Sequence, residues 1–368
     1  MEFGVQFFPN VIPAEIPADR YFSQSLAIAE EAERLGFTHA RIVEHYFHRY
    51  GGYSPNPLIF LSALSQRTRT MRLVTGAVLP IFNHPLKLAG EIGMVDGISH
   101  GRLDVGFARA FLPHEFRRFG ISPDESNVRF REGMAQVELL LTTEEASHHG
   151  QFHSFDKITS LPRPTQHPRP KFYVAATQTP ETFEFAGRKG YSLMAIPMGP
   201  RMRGLFGVYR DAWRAAGHPG DGEIMIAFHM FCHEDSRQAR DICRDAFNTY
   251  FASLAEVTHD WVAGLASSDY QGYRESMARM EAARLDTQIE GGSAWIGTPD
   301  EIDAIIKRNI EMMGPFEHAS LQINFTDLDF GESRRSMRLF AEEVMPRWRA
   351  GAAMEHSLPR QGHPAKAV

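Results

Sequence analysis

The chain has 368 residues, 43% of them hydrophobic, too many for one small domain yet ordinary for an α/β barrel of about 250 residues carrying insertions. A formal net charge of −6 leaves no basic excess for nucleic acid or an anionic membrane, and no apolar run approaches the roughly 20 residues of a membrane span. Two cysteines, Cys232 and Cys243, make neither a disulfide framework nor a zinc cluster, and the start of the chain lacks a basic signal-peptide region, so a cytoplasmic enzyme without a metal is expected.

In chain order, Phe3–Phe8 reads as a first strand, and Asp19 as the cap of a helix running to Leu35 and stopped by Gly36. Thr38–Glu44 is a second strand, Asn56–Arg67 a helix with Pro57 in its first turn, and Met71–Val78 a third strand. Pro85–Ile98 is helical, Arg102–Phe107 is a fourth strand, and Arg129–Leu141 is an amphipathic helix. The Pro- and His-rich stretch from His148 to Pro170 has loop composition. Beyond it come strands at Phe172–Ala176, Tyr191–Ile196, Glu223–Phe231 and His318–Asn324. They alternate with helices at Pro180–Lys189, Arg201–Ala216, Asp235–Leu254 and Ser333–Arg349.

Eight strands alternating with helices predict an α/β fold, a (β/α)₈ TIM barrel within a single domain over residues 1–350. Insertions fall after strands 4 and 7, at Thr142–Lys171 and Thr258–Gly292. The second would hang over the active face as a mobile lid, or be a surface excursion with its own helices. Gly351 to Val368 reads as a disordered tail. A doubly wound open sheet would want a glycine-rich phosphate loop after its first strand. Here that position is Phe8-Pro9-Asn10-Val11-Ile12-Pro13.

Barrel active sites lie at the carboxyl ends of the strands. There the sequence places His45, Gly76-Ala77, Ala108-Arg109 and Thr177-Gln178-Thr179, with Thr182 one turn into the next helix. Arg109 offers a planar donor fork suited to phosphate, and Thr179 and Thr182 stand at a helix start, where free N–H groups bind anions. Small residues at 76, 77 and 108 leave room for a flat ring, and His45 exchanges a proton near neutral pH. Singly, each has a plainer reading: a structural histidine, a helix cap, an arginine paired with Glu115 or Asp104.

Three blocks carry a resemblance. One is Val43-Glu44-His45-Tyr46-Phe47. Another runs from Asn56-Pro57 through Gly76-Ala77 to Asn83-His84-Pro85. The third is Met94-Val95-Asp96-Gly97-Ile98-Ser99-His100-Gly101-Arg102-Leu103-Asp104-Val105-Gly106. With Arg109-Ala110-Phe111 and Gly297-Thr298-Pro299-Asp300-Glu301, they make the chain similar to the bacterial luciferase family of flavin-dependent monooxygenases.

The resemblance implies a barrel, usually dimeric, that takes reduced FMN from a separate NAD(P)H:flavin reductase. It implies reaction of that flavin with O₂ to a 4a-hydroperoxide and insertion of one oxygen atom into a substrate. It makes His45 the catalytic residue, puts Arg109, Thr179 and Thr182 on the FMN phosphate with Gln178 beside it, and makes Gly76–Ala77 a cis peptide beneath the isoalloxazine. Ala108 stands where luciferase has a reactive cysteine, and Tyr46 where it has a second histidine.

Phe8, Phe47, Phe111 and Glu115 are the candidate substrate contacts, for a small hydrophobic organic molecule of secondary metabolism. The competing readings are a deazaflavin-dependent oxidoreductase on the same barrel, a metal-dependent barrel hydrolase, and a non-catalytic flavin-binding subunit.

Overall fold

The computed structural model describes residues 1–270 and 272–349. Its strands are β1 (Glu2–Phe7), β2 (His39–Ile42), β3 (Arg72–Val78), β4 (Leu103–Phe107), β5 (Ala146–His149), β6 (Ser154–Ile158), β7 (Lys171–Ala175), β8 (Ser192–Ala195), β9 (Ile224–Cys232), β10 (Ala294–Gly297) and β11 (His318–Gln322). Eight of them close a parallel ring in the order β1-β2-β3-β4-β7-β8-β9-β11, and β11 returns to β1. This is the expected α/β TIM barrel.

Period-two alternation sorts the side chains. On β1, Phe3, Val5 and Phe7 are fully buried in one large core that includes Ile28, Ala29 and Leu61 of the surrounding helices. The intervening positions face the barrel axis, where Val74, Tyr173, Met194 and Met225 form a small cluster of their own. Each strand therefore spends one face on helix packing and leaves the other to line the barrel, with its last inward residue at the mouth.

Several boundaries differ from the sequence reading. The first long helix is Ala18–Arg34 with Pro17 at its N-cap, so Asp19 lies in the first turn and makes no cap. The helix expected to stop at Leu254 runs over Ser236–Val262, because Leu254, Val257 and Trp261 continue its buried face. The Thr142–Lys171 insertion holds the antiparallel pair β5–β6 within its expected loop. Only Ala146 and Phe155 of these strands are buried, so no hydrophobic alternation marks them in the sequence. β10 adds a ninth parallel strand against the end of β9, with Trp295 stacked on Phe228 at 4.2 Å. Its four residues are too few to display a period. The tail from Gly351 to Val368 lies outside the described residues.

At the opposite end from the mouth a polar layer closes the barrel. His318 Nε2 lies 3.2 Å from Glu223, its Nδ1 lies 3.3 Å from Glu2, and Lys171 Nζ donates to Glu223 at 2.8 Å. The two carboxylates hold the His318 imidazole up at about 9 against the cost of burial, and Glu2 and Glu223 are held down at about 2. His39, beside it, is pushed down to about 3 by burial and stays neutral above that.

The stability contributed by charged His318 is present in full below its unfolded value of about 6.5 and is lost as pH rises through about 9. His318→Gln should therefore cost on the order of 1–2 kcal/mol near pH 6.5, allowing for the exposed Glu2. Thermal melts should show the gap to wild type narrowing as pH rises through about 9; a gap that does not change with pH would remove the charge from this account.

Candidate functional site

His45 follows the end of β2 at the mouth, 7% exposed. Its Nδ1 is 3.1 Å from Oε1 of Glu115, a fully buried carboxylate at the start of the helix Pro113–Phe119. The same oxygen accepts the Tyr46 backbone N–H at 2.9 Å. A carboxylate on Nδ1 keeps the ring proton there, so Nε2 is the free position. Phe8 and Phe111 flank the ring at 5.4 and 5.9 Å, and Tyr50 lies at 6.0 Å. Behind it Gly51 has φ +83, and a Cβ there would come within 2.6 Å of His45 Cδ2. Only glycine meets both conditions, so Gly51 sets how far the imidazole sits back.

Glu44, next to His45, is also buried but faces the other way. It accepts from Leu79 N (3.1 Å), Asn83 Nδ2 (2.9 Å) and Tyr46 Oη (2.5 Å), tying the end of β2 to the turn after β3. Burial raises its carboxyl to about 8, so it is protonated at neutral pH. Gly76–Ala77, at the end of β3, is joined by a cis peptide bond, as the resemblance implied. Ala108, half-buried after β4, is the neighbouring small residue.

On the other side of the mouth Arg109 pairs with neither Glu115 nor Asp104. Glu115 is taken by His45, and Asp104 by Arg72. Arg109 Nη2 donates to the Asp269 carbonyl at 2.7 Å, and its cation lies 4.5 Å from the centre of the Tyr270 ring. Arg131 is close enough to be felt by it electrostatically, and no salt bridge among the described residues neutralises either.

The helix Pro180–Lys189 begins at Thr179, whose side chain makes no capping bond; Pro180 has no N–H and the Thr182 N–H donates to the Thr179 carbonyl at 2.9 Å, which leaves the Glu181 N–H and the two threonine hydroxyls as donors at this end. Thr182 is one turn in, half-buried, and Gln178 Nε2 donates to Ser276 Oγ at 2.7 Å. Two adjacent arginines without carboxylates and an uncapped helix N-terminus form a donor set suited to a phosphate dianion. The small residues at 76, 77 and 108 stand between that set and His45, so the residues present fit FMN.

The Thr258–Gly292 segment reaches this region. Trp261 Nε1 donates to Phe111 O at 2.7 Å, Tyr270 Oη to Ala110 O at 2.8 Å, and Asp269 Oδ2 accepts from Asn127 N at 2.8 Å. The structure thus brings His45, Phe8, Phe111, Gly76, Ala77, Ala108 and Arg109 to one mouth. Phe47 stands apart. It is 54% exposed with φ 62, and it packs on Phe119 at 5.5 Å and under Arg118. Glu115, expected among the substrate contacts, lies behind His45 with no exposed surface.

Sequence reading passed over Arg41, Arg131, His229 and Tyr250. His229 retains some accessible surface, and burial pushes its imidazole down to about 3. Tyr250 packs on it at 4.6 Å and on Phe8 at 5.4 Å, extending an aromatic wall from His45 into the barrel. Alternation on β9 was the available signal, since His229 interrupts an apolar run.

The sequence model of the luciferase-like monooxygenases matches residues 1–314. The chain belongs to that family. It is accordingly a flavin-dependent monooxygenase in class. It is 28% identical over 336 residues to the oxygenase component of a flavin-dependent trigonelline monooxygenase of Acinetobacter baylyi, covering 88% of this chain and 89% of that one. The crystal structure of the monooxygenase RslO1 from Streptomyces bottropensis superposes with a TM-score of 0.83 at 42% identity, covering 95% of this chain and all of the other. The oxygenating constituent of 3,6-diketocamphane monooxygenase from Pseudomonas putida, solved with FMN, shares the fold at a TM-score of 0.78 and 22% identity, over 94% of this chain and 98% of that one. F420-dependent enzymes share the fold at lower identity.

If Gly51 sets the position of His45, Gly51→Ala should leave the barrel folded at a cost of about 1–3 kcal/mol. It should lower turnover at least tenfold, read as kcat against circular dichroism of the same sample. Unchanged kcat would detach the ring position from activity.

Proposed function

We propose that this luciferase-like monooxygenase is the oxygenase component of a two-component system. It takes reduced FMN from a separate NAD(P)H:flavin reductase and uses O₂ to oxygenate a small hydrophobic organic substrate. The observation that carries this reading is a histidine locked by a buried carboxylate across a small-residue floor from an uncompensated arginine and an uncapped helix N-terminus. The organic substrate is expected in secondary metabolism, and a cytoplasmic setting supplies the NAD(P)H.

When bound, the reduced flavin supplies the electrons that activate O₂ for transfer of one oxygen atom. Arg109, the Thr179 and Thr182 hydroxyls and the Glu181 N–H would hold the phosphate, with Arg131 adding charge and Gln178 beside it. Gly76, Ala77 and Ala108 leave the ring its space. His45 holds or moves a proton at Nε2, its other nitrogen fixed by Glu115. Phe8, Phe111, Tyr50 and Tyr250 offer the apolar wall against which an organic substrate packs. The segment carrying Trp261 and Tyr270 acts as a lid that keeps water from the mouth. Retention of His45 with its orienting carboxylate favours a catalytic chain over a flavin-binding subunit.

A homodimer completes the proposal. Ile59 and Leu161 are each 71% exposed and Met94 is 57% exposed, and the helices Pro57–Ser65 and Pro85–Ile98 that carry Ile59 and Met94 are neighbours. Such exposed apolar side chains on adjacent helices suit a second copy. Sedimentation should give a dimer, and Ile59→Glu with Met94→Glu should give a folded monomer; a wild-type monomer would remove this part.

Anaerobic titration with reduced FMN tests the cofactor. Tight binding is expected, weakened at least tenfold by Arg109→Ala. His45→Ala should bind flavin normally and lose about 10²- to 10⁴-fold in product formed per O₂ consumed. Binding of a deazaflavin in place of FMN would move the chain to the hydride-transfer reading, and coupled turnover in His45→Ala would remove the proton role.

A further inference from the structure

Arg41 is an arginine on β2 whose side chain turns into the barrel, between Gln6 of β1 and Val74 of β3 in register. It is 8% exposed. Its Nη2 donates to Gly76 O at 3.0 Å, and the chain lies so close over Gly76 that a Cβ there would sit 1.9 Å from Arg41 Nε. Nε and Nη1 are buried and have no hydrogen-bond partner. No carboxylate among the described residues pairs with it, and the acidic group that acts on it is the Tyr250 phenol. Burial lowers the guanidinium only to about 10, so it is cationic at neutral pH.

A desolvated cation with idle donors and no counter-ion is costly, and a protein that keeps one gains by bringing an anion to it. Glu44, the closest carboxyl in sequence on the same strand end, faces Leu79 and Asn83 and does not serve. What the mouth receives under the proposed function is flavin, placed against the same Gly76. Oxidised FMN has a neutral ring. Two electrons and one proton convert it to FMNH⁻, whose ring carries one negative charge. A fixed cation beside the ring distinguishes the two forms electrostatically.

We infer that Arg41 is the residue by which this oxygenase selects the anionic reduced flavin over the oxidised form, through its uncompensated charge against Gly76. The inference rests on the flavin reading and goes beyond it, since the phosphate donors treat both redox forms alike.

The test compares binding of FMN and of photoreduced FMN, under anaerobic conditions and without turnover, in wild type, Arg41→Met and Arg41→Lys. Wild type should prefer the reduced form. Arg41→Met should lower that preference at least tenfold, chiefly by weakening the reduced form, a shift of about 30 mV in the bound two-electron potential. Arg41→Lys should retain most of it.

A second measurement needs no variant. The absorbance of reduced flavin bound to wild type should stay that of the anion to at least one pH unit below the point where free reduced FMN takes up a proton. Equal affinity for both forms in wild type, an unchanged ratio in Arg41→Met, or ordinary protonation of the bound reduced flavin would each overturn the role of Arg41 while leaving flavin binding intact. Failure of wild type to bind either form would instead overturn the flavin reading beneath it.

Discussion

The hydrogen bond between His45 and Glu115 is the constraint around which the mouth of this barrel is arranged. It joins residues 70 positions apart, carried by the ends of β2 and of the segment after β4, and it is made in full burial. Glu115 has room for nothing else: one oxygen takes the His45 ring and the Tyr46 N–H, and the other has no partner. A buried carboxylate tolerates that only with strong donors. The pair therefore holds the two strand ends in one register and points the free imidazole nitrogen away from the carboxylate. Gly51 behind the ring and Phe8 and Phe111 beside it leave the imidazole one place to stand.

From that fixed point the site divides by charge. Around His45 the surroundings are aromatic, and the second carboxyl, Glu44, is neutral at pH 7 because burial outweighs its three donors. Across the floor of Gly76, Ala77 and Ala108 the charge is positive and unpaired, with Arg109 and Arg131 at the rim and Arg41 beneath. The carboxylates that would have neutralised them are engaged elsewhere, Asp104 with Arg72 and Glu115 with His45. Glu2, Glu223, Lys171 and His318 pair with one another at the far end of the barrel, whereas Arg109, Arg131 and Arg41 have no carboxylate partner among the described residues. That asymmetry is what an anionic cofactor needs.

The long helix Ser236–Val262 and the segment after it show how tertiary packing extends what local pattern begins. Tyr250 reaches from this helix to Phe8 and His229, and Trp261 to the Phe111 carbonyl, so one element supplies both an inner wall and the tether of the segment over Arg109. The insertion was visible in the sequence as a break in the strand–helix rhythm. Its target was not, because the Arg109–Asp269 contact spans 160 residues.

By itself the sequence determined the barrel and the end of it at which the candidate site lies. Period-two apolar runs alternating with helical ones specify eight parallel strands, and a closed parallel ring leaves only one end at which His45, Gly76, Ala108, Arg109 and Thr179 can meet. The short strand β10 and the hairpin β5–β6 escaped because four- and five-residue strands with few buried positions carry no readable period. Only the tertiary structure decided which neighbours each charged group obtained. Glu115 became the partner of His45 rather than a substrate contact, Phe47 was carried out to the surface, and Arg41 was turned inward without a counter-ion. Burial and pairing are properties of distances across the ring, and no spacing along one strand encodes them.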